Sequence, residues 1–168
     1  PGYPAQSGVA ERAAQDVRVM RSGCGGDELF GGYARNVALV HAAPPAAWEN
    51  YAPLFARAAG EPIGVRAYEL LQRRDGALFQ REFLDAHPAP RDAFVEAFAE
   101  GGLGPLAAAA RAEMQIVLPG LLQVEDRVTM AHSLESRVPL LDRRLLKVAT
   151  RLPEEARVDA AGNAKVLL

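Results

Sequence analysis

Apolar residues recur at helical spacing along most of the chain. Glycines and prolines interrupt this spacing, which predicts helices over residues 8–16, 27–42, 46–58, 63–74, 76–86, 91–100 and 105–118. The apolar stripe continues past Pro119, so we expect a kink there or a second helix that begins at this proline and reaches about His132. Asp142 is expected to cap a last helix. The middle of the chain, residues 46–104, is interpreted as scaffold.

The helical periodicity also predicts which side chains are buried. The expected core positions, in chain order, are Leu29, Tyr33, Val37, Val40, Tyr68, Leu71, Phe79, Phe83, Phe94, Phe98, Met114, Val117, Leu118, Leu121, Leu122, Leu145, Val148, Ala149 and Leu152. Four basic residues of the last helix, Arg143, Arg144, Lys147 and Arg151, are expected to point outward.

Only residues 17–20 give a convincing strand signal, a short alternation that runs into Ser22 and a glycine-rich turn. A strand, such a turn and then a helix form the layout of many ligand sites in α/β proteins. The segment 134–139 is expected to be extended near its end, because Pro139 disfavours a helical Val138. We expect the edge of the strand to pair with another chain, for instance a second copy in a homodimer.

Composition excludes several classes of function. The formal net charge is −2, so no basic field indicates binding to nucleic acid or to an anionic membrane. The longest apolar run, residues 116–122, is far shorter than the roughly 20 residues of a membrane-spanning helix. Cys24 is the only cysteine, which rules out an internal disulfide. These features favour a cytoplasmic protein.

Residues 22–33 (SGCGGDELFGGY) are the first candidate site. Gly23, Gly25 and Gly26 permit a sharp turn whose amides, with the following helix start, suit phosphate oxygens. Asp27 would then hold a magnesium ion that also contacts the phosphates. In a purely structural alternative, Asp27 caps the helix, Glu28 complements its dipole and the glycines only make a turn. Composition alone favours that alternative.

Two further segments carry polar residues with possible chemistry. In residues 118–142, Glu125 and its neighbours Asp126 and Arg127 follow an apolar run and need partners or a ligand. Glu135 and Arg137 lie on one side of an extended segment and, with Asp142, are interpreted as part of an internal ion-pair network that holds the last helix.

Lys165, in the run GNAKVLL, is one of only two lysines in the chain. In the first turns of a helix it would point at a phosphate and neutralise transition-state charge; the alternative is a surface lysine. His132 is expected to be hydrogen-bonded and partly buried rather than a ligand, and no Cys/His cluster indicates zinc.

Taken together and in order, the three segments resemble the synthetase domain of the glutamine-dependent asparagine synthetase family. The resemblance lies in SG-x-GGDELFGGY, in LL-x-x-EDR-x-TMAHSLESRVP-x-LD and in G-x-x-K-x-LL, over about residues 17–36 and 118–168. It implies ATP- and Mg²⁺-dependent adenylation of a carboxylate, aspartate or another acid, followed by attack of an amine, which in the parent protein is ammonia from glutamine. Asparagine biosynthesis is the implied role. A β-lactam or peptide-cyclising amide synthetase, or a non-catalytic helical interaction module, is the alternative.

The resemblance also assigns residues. It implies that Ser22 and Gly23 lie against ATP, that the turn with Gly25 and Gly26 binds phosphate, that Asp27 binds magnesium and that Lys165 stabilises the phosphorus centre and the leaving pyrophosphate. Glu125 matches a carboxylate near the substrate. Together with Cys24 and Lys165 it completes the set of candidate catalytic residues.

Two departures from the family pattern change these expectations. Cys24 stands where asparagine synthetases carry a carboxylate or amide side chain, which puts aspartate as substrate in question. A thiol at a helix start could have a lowered pKa, but without a neighbouring histidine we do not expect a cysteine nucleophile.

The second departure is that the family's SGG-x-DS loop and its glutaminase domain do not occur in these residues. We therefore expect residues 1–168 to form a single partial domain, inactive alone. Its expected fold is mostly α, the helical C-terminal portion of an α/β adenine-nucleotide α-hydrolase-like synthetase domain with one short strand.

Overall fold

The computed structural model describes residues 3–56, 60–71 and 91–168. Within them the α-helices are α1 (Tyr3–Ala13), α2 (Gly26–Phe30), α3 (Ala34–Val40), α4 (Ala52–Ala56), α5 (Ile63–Leu71), α6 (Arg91–Ala99), α7 (Pro105–Ala112), α8 (Leu118–Met130) and α9 (Arg143–Ala149). The strands are β1 (Val19–Arg21) and β2 (Glu135–Arg137). The expected mostly helical character is confirmed, and the relation to the larger nucleotide-hydrolase fold stays a prediction.

The sheet holds two parallel strands, whereas the sequence predicted one. Met20 of β1 is in register with Ser136 of β2, and both are half-buried between exposed neighbours. β2 is too short for its own sequence pattern to reveal it, and its pairing with β1, which the signal at residues 17–20 did predict, joins segments far apart in the chain. Pairing of the free β1 edge with a second copy stays a prediction.

The ion pair expected of β2 exists, but it is not internal. Glu135 and Arg137 lie 2.5 Å apart, with 50% and 66% of their side chains exposed. The pair belongs to the exposed face of the sheet. The prediction of a buried network is therefore wrong, because alternate residues of a strand point to opposite faces and Ser136 takes the inner one.

The predicted long helix 27–42 is divided in two. Gly31 ends α2 in the left-handed conformation (φ 70°), and α3 begins after Tyr33, whose backbone N–H donates to the Asn36 side chain at 3.1 Å. Glycine favours a helix end of this kind because it has no Cβ to clash at positive φ. The break turns α3 away from α2.

The second long helix also departs from a single α-helix. After α7 the chain forms a π-helical turn, Glu113–Val117, and α8 then begins at Leu118 with Pro119 in its first turn. The predicted helix start at this proline is confirmed. Asp142 caps α9 as predicted, since its carboxylate accepts from the backbone N–H of Arg144 at 2.8 Å.

The other helix predictions differ mainly in their bounds. The first helix is Tyr3–Ala13 rather than 8–16, and the predicted helix 46–58 begins as a 3₁₀ turn, Ala46–Tyr51, before α4. Helices α5 and α6 confirm the predictions at 63–74 and 91–100 over their described residues. The predicted helix 76–86, with Phe79 and Phe83, lies outside the described residues.

The main core lies where α3, α5, α6 and α7 pack together. Val37, Tyr68, Phe94 and Phe98 are buried there as predicted. Exposure contradicts the prediction for Val40 (38%), Leu121 (39%) and Val148 (55%), which lie at helix ends or on a surface. Among the helices of the described ranges, none combines the length and apolar character needed to cross a bilayer.

A buried arginine joins the short helix α2 to α9. Arg157 donates to the carbonyl oxygens of Leu29 and Ala149, in the last turns of these two helices. Burial lowers the pKa of Arg157. Carbonyl oxygens at helix ends carry partial negative charge, so they suit a buried cation. The contact fixes α2 from the side opposite the glycine-rich turn.

Candidate functional site

The glycine-rich turn follows β1 directly and leads into α2. Gly25 has φ 88°, and a side chain there would overlap that of Leu141; one at Gly26 would lie 2.8 Å from Leu140 Cδ1. Conformation and packing therefore both disfavour a side chain at Gly25, whereas one at Gly26 would require the Leu140 side chain to move. The turn also bonds to itself, since the Cys24 N–H donates to Ser22 Oγ at 3.1 Å. The first motif thus packs on the second.

Asp27 does not cap a helix. Gly25 precedes α2 without any side-chain capping bond, and Asp27 Oδ1 lies 2.7 Å from Lys165 Nζ. Both side chains are over one-third exposed, where an ion pair contributes only about 0–1 kcal/mol. The structural alternative for Asp27 is wrong, and the pair adds little to stability. The geometry brings together two charged groups from opposite ends of the chain.

Lys165 reaches Asp27 from a loop and not from a helix, which corrects the prediction for its setting. Its backbone adopts the left-handed conformation with φ 55°. A Cβ at Gly32 would overlap Asp27 Oδ1 and Lys165 Cε. Gly32 therefore makes room for the pair. Sequence reasoning placed Gly32 inside a helix and missed this role, although paired glycines within a helical pattern were the signal.

Cys24 and Glu125 face each other across the turn. Burial, and then the charge and hydrogen bonding of Glu125, raise the pKa of Cys24 to about 12. The thiol is thus held neutral, and the expectation that a helix start would lower its pKa is wrong because desolvation outweighs the backbone contribution. Glu125 also accepts a hydrogen bond from Ser136 of β2. Its neighbours Asp126 and Arg127 are exposed.

These groups line one open cleft of about 760 Å³. Of the candidate residues, those that line it are Ser22, Gly23, Cys24, Gly25, Asp27, Glu125 and Lys165. Gly26 is buried behind the turn. Gln6 of α1 also lines the cleft, and so does Leu121, which explains its exposure. A smaller, mostly apolar pocket of about 260 Å³ shares Gln6, Ser22 and Glu125 with it.

A chain of polar contacts that sequence reasoning missed runs from the cleft wall, which Glu28, Tyr33 and Arg35 line, to the buried Glu113. The Tyr33 hydroxyl donates to Glu28 Oε1 at 2.5 Å, and the Arg35 guanidinium stacks over the Tyr33 ring at 3.6 Å. Arg35 Nε in turn donates to Glu113 Oε1 at 2.8 Å. Burial, followed by Glu28, raises the pKa of Tyr33; burial also raises the pKa of Glu113 despite Arg35. The π-helical turn places Glu113 here.

His132 has the structural setting that the sequence indicated. It is half-buried, and its Nε2 lies 3.2 Å from Ser7 Oγ of α1. The contact ties the end of α8 to α1, beside the cleft and not within it.

Comparison with known proteins identifies the family. The family model described as asparagine synthase matches residues 4–168. The chain belongs to the asparagine synthase family. The resemblance drawn from the three motifs is thereby confirmed.

Relatives of this asparagine synthase chain are named as asparagine synthetases. It is 33% identical, over 89% of its length, to proteins of Mycobacterium bovis and Mycobacterium tuberculosis named putative asparagine synthetase [glutamine-hydrolyzing]. It is 31% identical, over 95% of its length, to asparagine synthetase [glutamine-hydrolyzing] 1 of Bacillus subtilis. The chain spans only 26% and 28% of the length of these relatives. No solved structure matches it.

Proposed function

We propose that this asparagine synthase chain forms part of an ATP-dependent amide-forming ligase and that its cleft holds the phosphates of ATP. The contact of Lys165 with Asp27, at the mouth of the Ser22–Gly26 turn, is the observation that carries the proposal. The lysine and the aspartate come from distant segments, and their exposed ion pair adds too little stability to explain why they meet there. The family and the names of the relatives support the same conclusion.

The donor set is suited to magnesium only in company with a phosphate ligand. Within residues 3–56, 60–71 and 91–168, no group of three or more His, Cys, Asp or Glu side chains could hold a metal ion. Mg²⁺ is commonly bound by one or two carboxylates with substrate phosphates and water. Asp27 fits that pattern as the protein ligand. The metal would supply neutralising charge for the phosphate oxygens.

Lys165 would act on the same phosphates from a position beside Asp27. Adenylation joins a carboxylate oxygen to the α-phosphorus of ATP and breaks its bond to pyrophosphate, so negative charge accumulates on the leaving group. An ammonium aimed at that position stabilises the charge more in the transition state than in the ground state. The amine then attacks the acyl carbon, loses a proton and displaces AMP, which completes the amide.

Glu125 is the group placed to handle the substrate end of the reaction. Its carboxylate lines the cleft, is oriented by the Ser136 hydroxyl and faces the neutral Cys24 thiol. It would hold the incoming amine or accept its proton. Aspartate is the substrate that the names of the relatives favour.

A second substrate class is favoured by Cys24. A thiol whose pKa is about 12 carries no charge at neutral pH and cannot pair with a substrate ammonium as a carboxylate would. Carboxylates that lack the aspartate ammonium group, as in β-lactam or peptide-cyclising amide synthesis, therefore form the alternative. Measuring pyrophosphate release with aspartate and with amine-blocked carboxylic acids separates the two.

The test is carboxylate-dependent exchange of pyrophosphate into ATP by the full-length protein that carries this chain. We expect Asp27→Asn and Lys165→Ala each to lower the exchange rate by about 10²–10³-fold, as for loss of a group that stabilises transition-state charge. Asp16→Asn and Lys147→Ala, which alter exposed residues outside the cleft, are matched controls. Wild-type exchange in either cleft variant would refute the role of that residue. Inactivity of the 168 residues alone stays a prediction that the same assay checks.

A further inference from the structure

Lys165 is the last residue of a loop, and other residues must impose its backbone conformation. Its φ of 55° is in the left-handed region, which is unfavourable for a residue with a Cβ. Its exposed ion pair with Asp27 is too weak to impose that conformation. The position of the ammonium group therefore depends on the remainder of residues 158–165, which we term the lysine loop.

The lysine loop is closed by contacts among its own residues. Val158 and Ala164 form an antiparallel bridge. Inside it, the Asp159 carboxylate accepts from the backbone N–H groups of Ala161 and Asn163 at 2.9 and 2.8 Å. These bonds, with that from the Asn163 side chain foremost, lower the pKa of Asp159. The loop thus keeps its shape as a unit, and its two bridged residues also hold it to the main core, where Val158 is buried and Ala164 packs.

A second, directional attachment comes from the segment that follows α3. Trp48 Nε1 donates to the Gly162 carbonyl at 2.7 Å, and His41 Nε2 donates to the Asp159 carbonyl at 3.2 Å. Gly162 (φ 82°) lies so close to Pro45 that a Cβ would overlap the proline ring. The Trp48 ring packs against the main core. The lysine loop is therefore bonded to a rigid part of the fold.

We propose that Trp48, assisted by His41, is a positioning residue that sets where the Lys165 ammonium lies in the cleft. Neither side chain lines the cleft, so each acts only through the loop. The indole contributes a single N–H donor on a ring anchored in the core, which fixes the direction of the loop as well as its distance. The catalytic part of this inference rests on the proposed function, whereas the structural part does not.

The structural part is tested on the 168-residue chain. Because Lys147 and Lys165 are its only lysines, ¹³C-methylation of the amines gives one NMR signal for each, and Asp27→Asn supplies the shift of a released Lys165. We expect Trp48→Phe, which keeps a smaller aromatic ring and removes the donor, to move the Lys165 signal toward that reference and leave Lys147 unchanged. Tyr51→Phe, in the same 3₁₀ turn, is the matched control and should move neither.

A Lys165 signal that stays in place in a folded Trp48→Phe chain overturns the proposal. Far-UV circular dichroism and a cooperative thermal transition establish that the variant is folded. If it is not, His41→Ala decides, because it removes the second bond and leaves the Trp48 ring in the core. The same displacement of Lys165 supports the proposal, and an unmoved signal refutes it.

The catalytic part is tested in the full-length protein. Trp48→Phe should lower kcat for exchange by about 10- to 100-fold, the scale of a misplacement near 1 Å, with KM for ATP within about twofold. In a Lys165→Ala background it should cause no further loss, because it acts through that lysine. A multiplicative loss in the double variant would indicate a general structural effect and refute positioning. If Trp48→Phe shifts the Lys165 NMR signal but the Lys165→Ala protein keeps full exchange activity, the proposed function is refuted and the positioning role is not.

Discussion

Cys24 offers a direct test of the electrostatics of the cleft, because it is the only cysteine in the chain. Burial and the nearby Glu125 carboxylate raise its pKa from 9.0 to about 12. The thiolate is the reactive form toward disulfide reagents. We therefore expect native Cys24 to react more slowly at pH 8 than the same thiol in the unfolded chain.

The size of this effect follows from two opposing factors. At pH 8 the thiolate fraction is about 10⁻¹ for a pKa of 9.0 and about 10⁻⁴ for a pKa of about 12, a difference of about 10³. A thiolate of higher pKa is also the better nucleophile, and a Brønsted slope of about 0.4–0.5 recovers a factor of about 15–30. The net expectation is a rate about 30- to 70-fold lower in the native chain.

The assay is reaction with an aromatic disulfide under native and denaturing conditions, followed by absorbance of the released thiolate. Glu125→Gln separates charge from access, since it removes the carboxylate and keeps the shape and the acceptor for Ser136. We expect this variant to react several-fold faster than the native chain at pH 8. Glu11→Gln, on the exposed side of α1, is the control and should react at the native rate.

The pH dependence of the Cys24 reaction rate can refute this expectation. The native rate should continue to rise above pH 9, where the unfolded thiol has begun to level off, because the native group is still mostly protonated there. A native rate that levels off near pH 9 would show an ordinary thiol. Equal rates for native chain and Glu125→Gln would show that the carboxylate does not act on Cys24.

Two other predictions concern the surroundings of the cleft. Gly32→Ala should separate Asp27 from Lys165 and abolish the exchange of pyrophosphate into ATP. It should lower the free energy of unfolding by no more than about 1 kcal/mol, because both obstructing atoms are at the ends of flexible side chains. NMR of the lysine signals and urea denaturation check these two expectations. Glu113 has a raised pKa, so its contribution to stability is present below its unfolded pKa of 4.5 and is lost as pH rises through the folded value. Glu113→Gln, which can still accept from Arg35, should flatten that decline in a series of denaturation curves.

Each of these variants has a matched control. Gly8→Ala adds the same methyl group in α1, where a Cβ meets nothing within 4 Å. Glu96→Gln removes a charge from the exposed face of α6. An intact ion pair in Gly32→Ala, or a pH dependence in Glu113→Gln that matches the parent, would contradict the respective argument.

Local signals allowed the best sequence predictions. Proline in a first helical turn and a carboxylate one residue before a helix act within a few residues of themselves, so Pro119 and Asp142 predicted their helix starts correctly. The strand β2 was missed as a strand, although its extended course was expected. Its pairing with β1 depends on residues distant in sequence, which a local pattern does not contain.

The candidate site, like the fold, could be predicted from the sequence only in part. Composition favoured a capping role for Asp27, and only the combined motifs suggested that it shares a site with Lys165. The structure places the two in contact. The contacts of Tyr33, Arg35 and Glu113 could not be predicted, since they depend on the π-helical turn and on α3 folding back against it. Their sequence positions show no common spacing.

The parallel pairing of β1 and β2 has a consequence for how the molecule folds. Among the described helices that build the main core and the cleft wall, all but α1 lie between these strands in sequence, so the strands can meet only after the intervening chain has collapsed. The glycine-rich turn after β1, and the part of the cleft that Glu125 lines beside β2, should therefore form late in folding. Hydrogen exchange should find the amides of Ser22 and Glu135, which bond across the sheet, among the first to open in a destabilised chain.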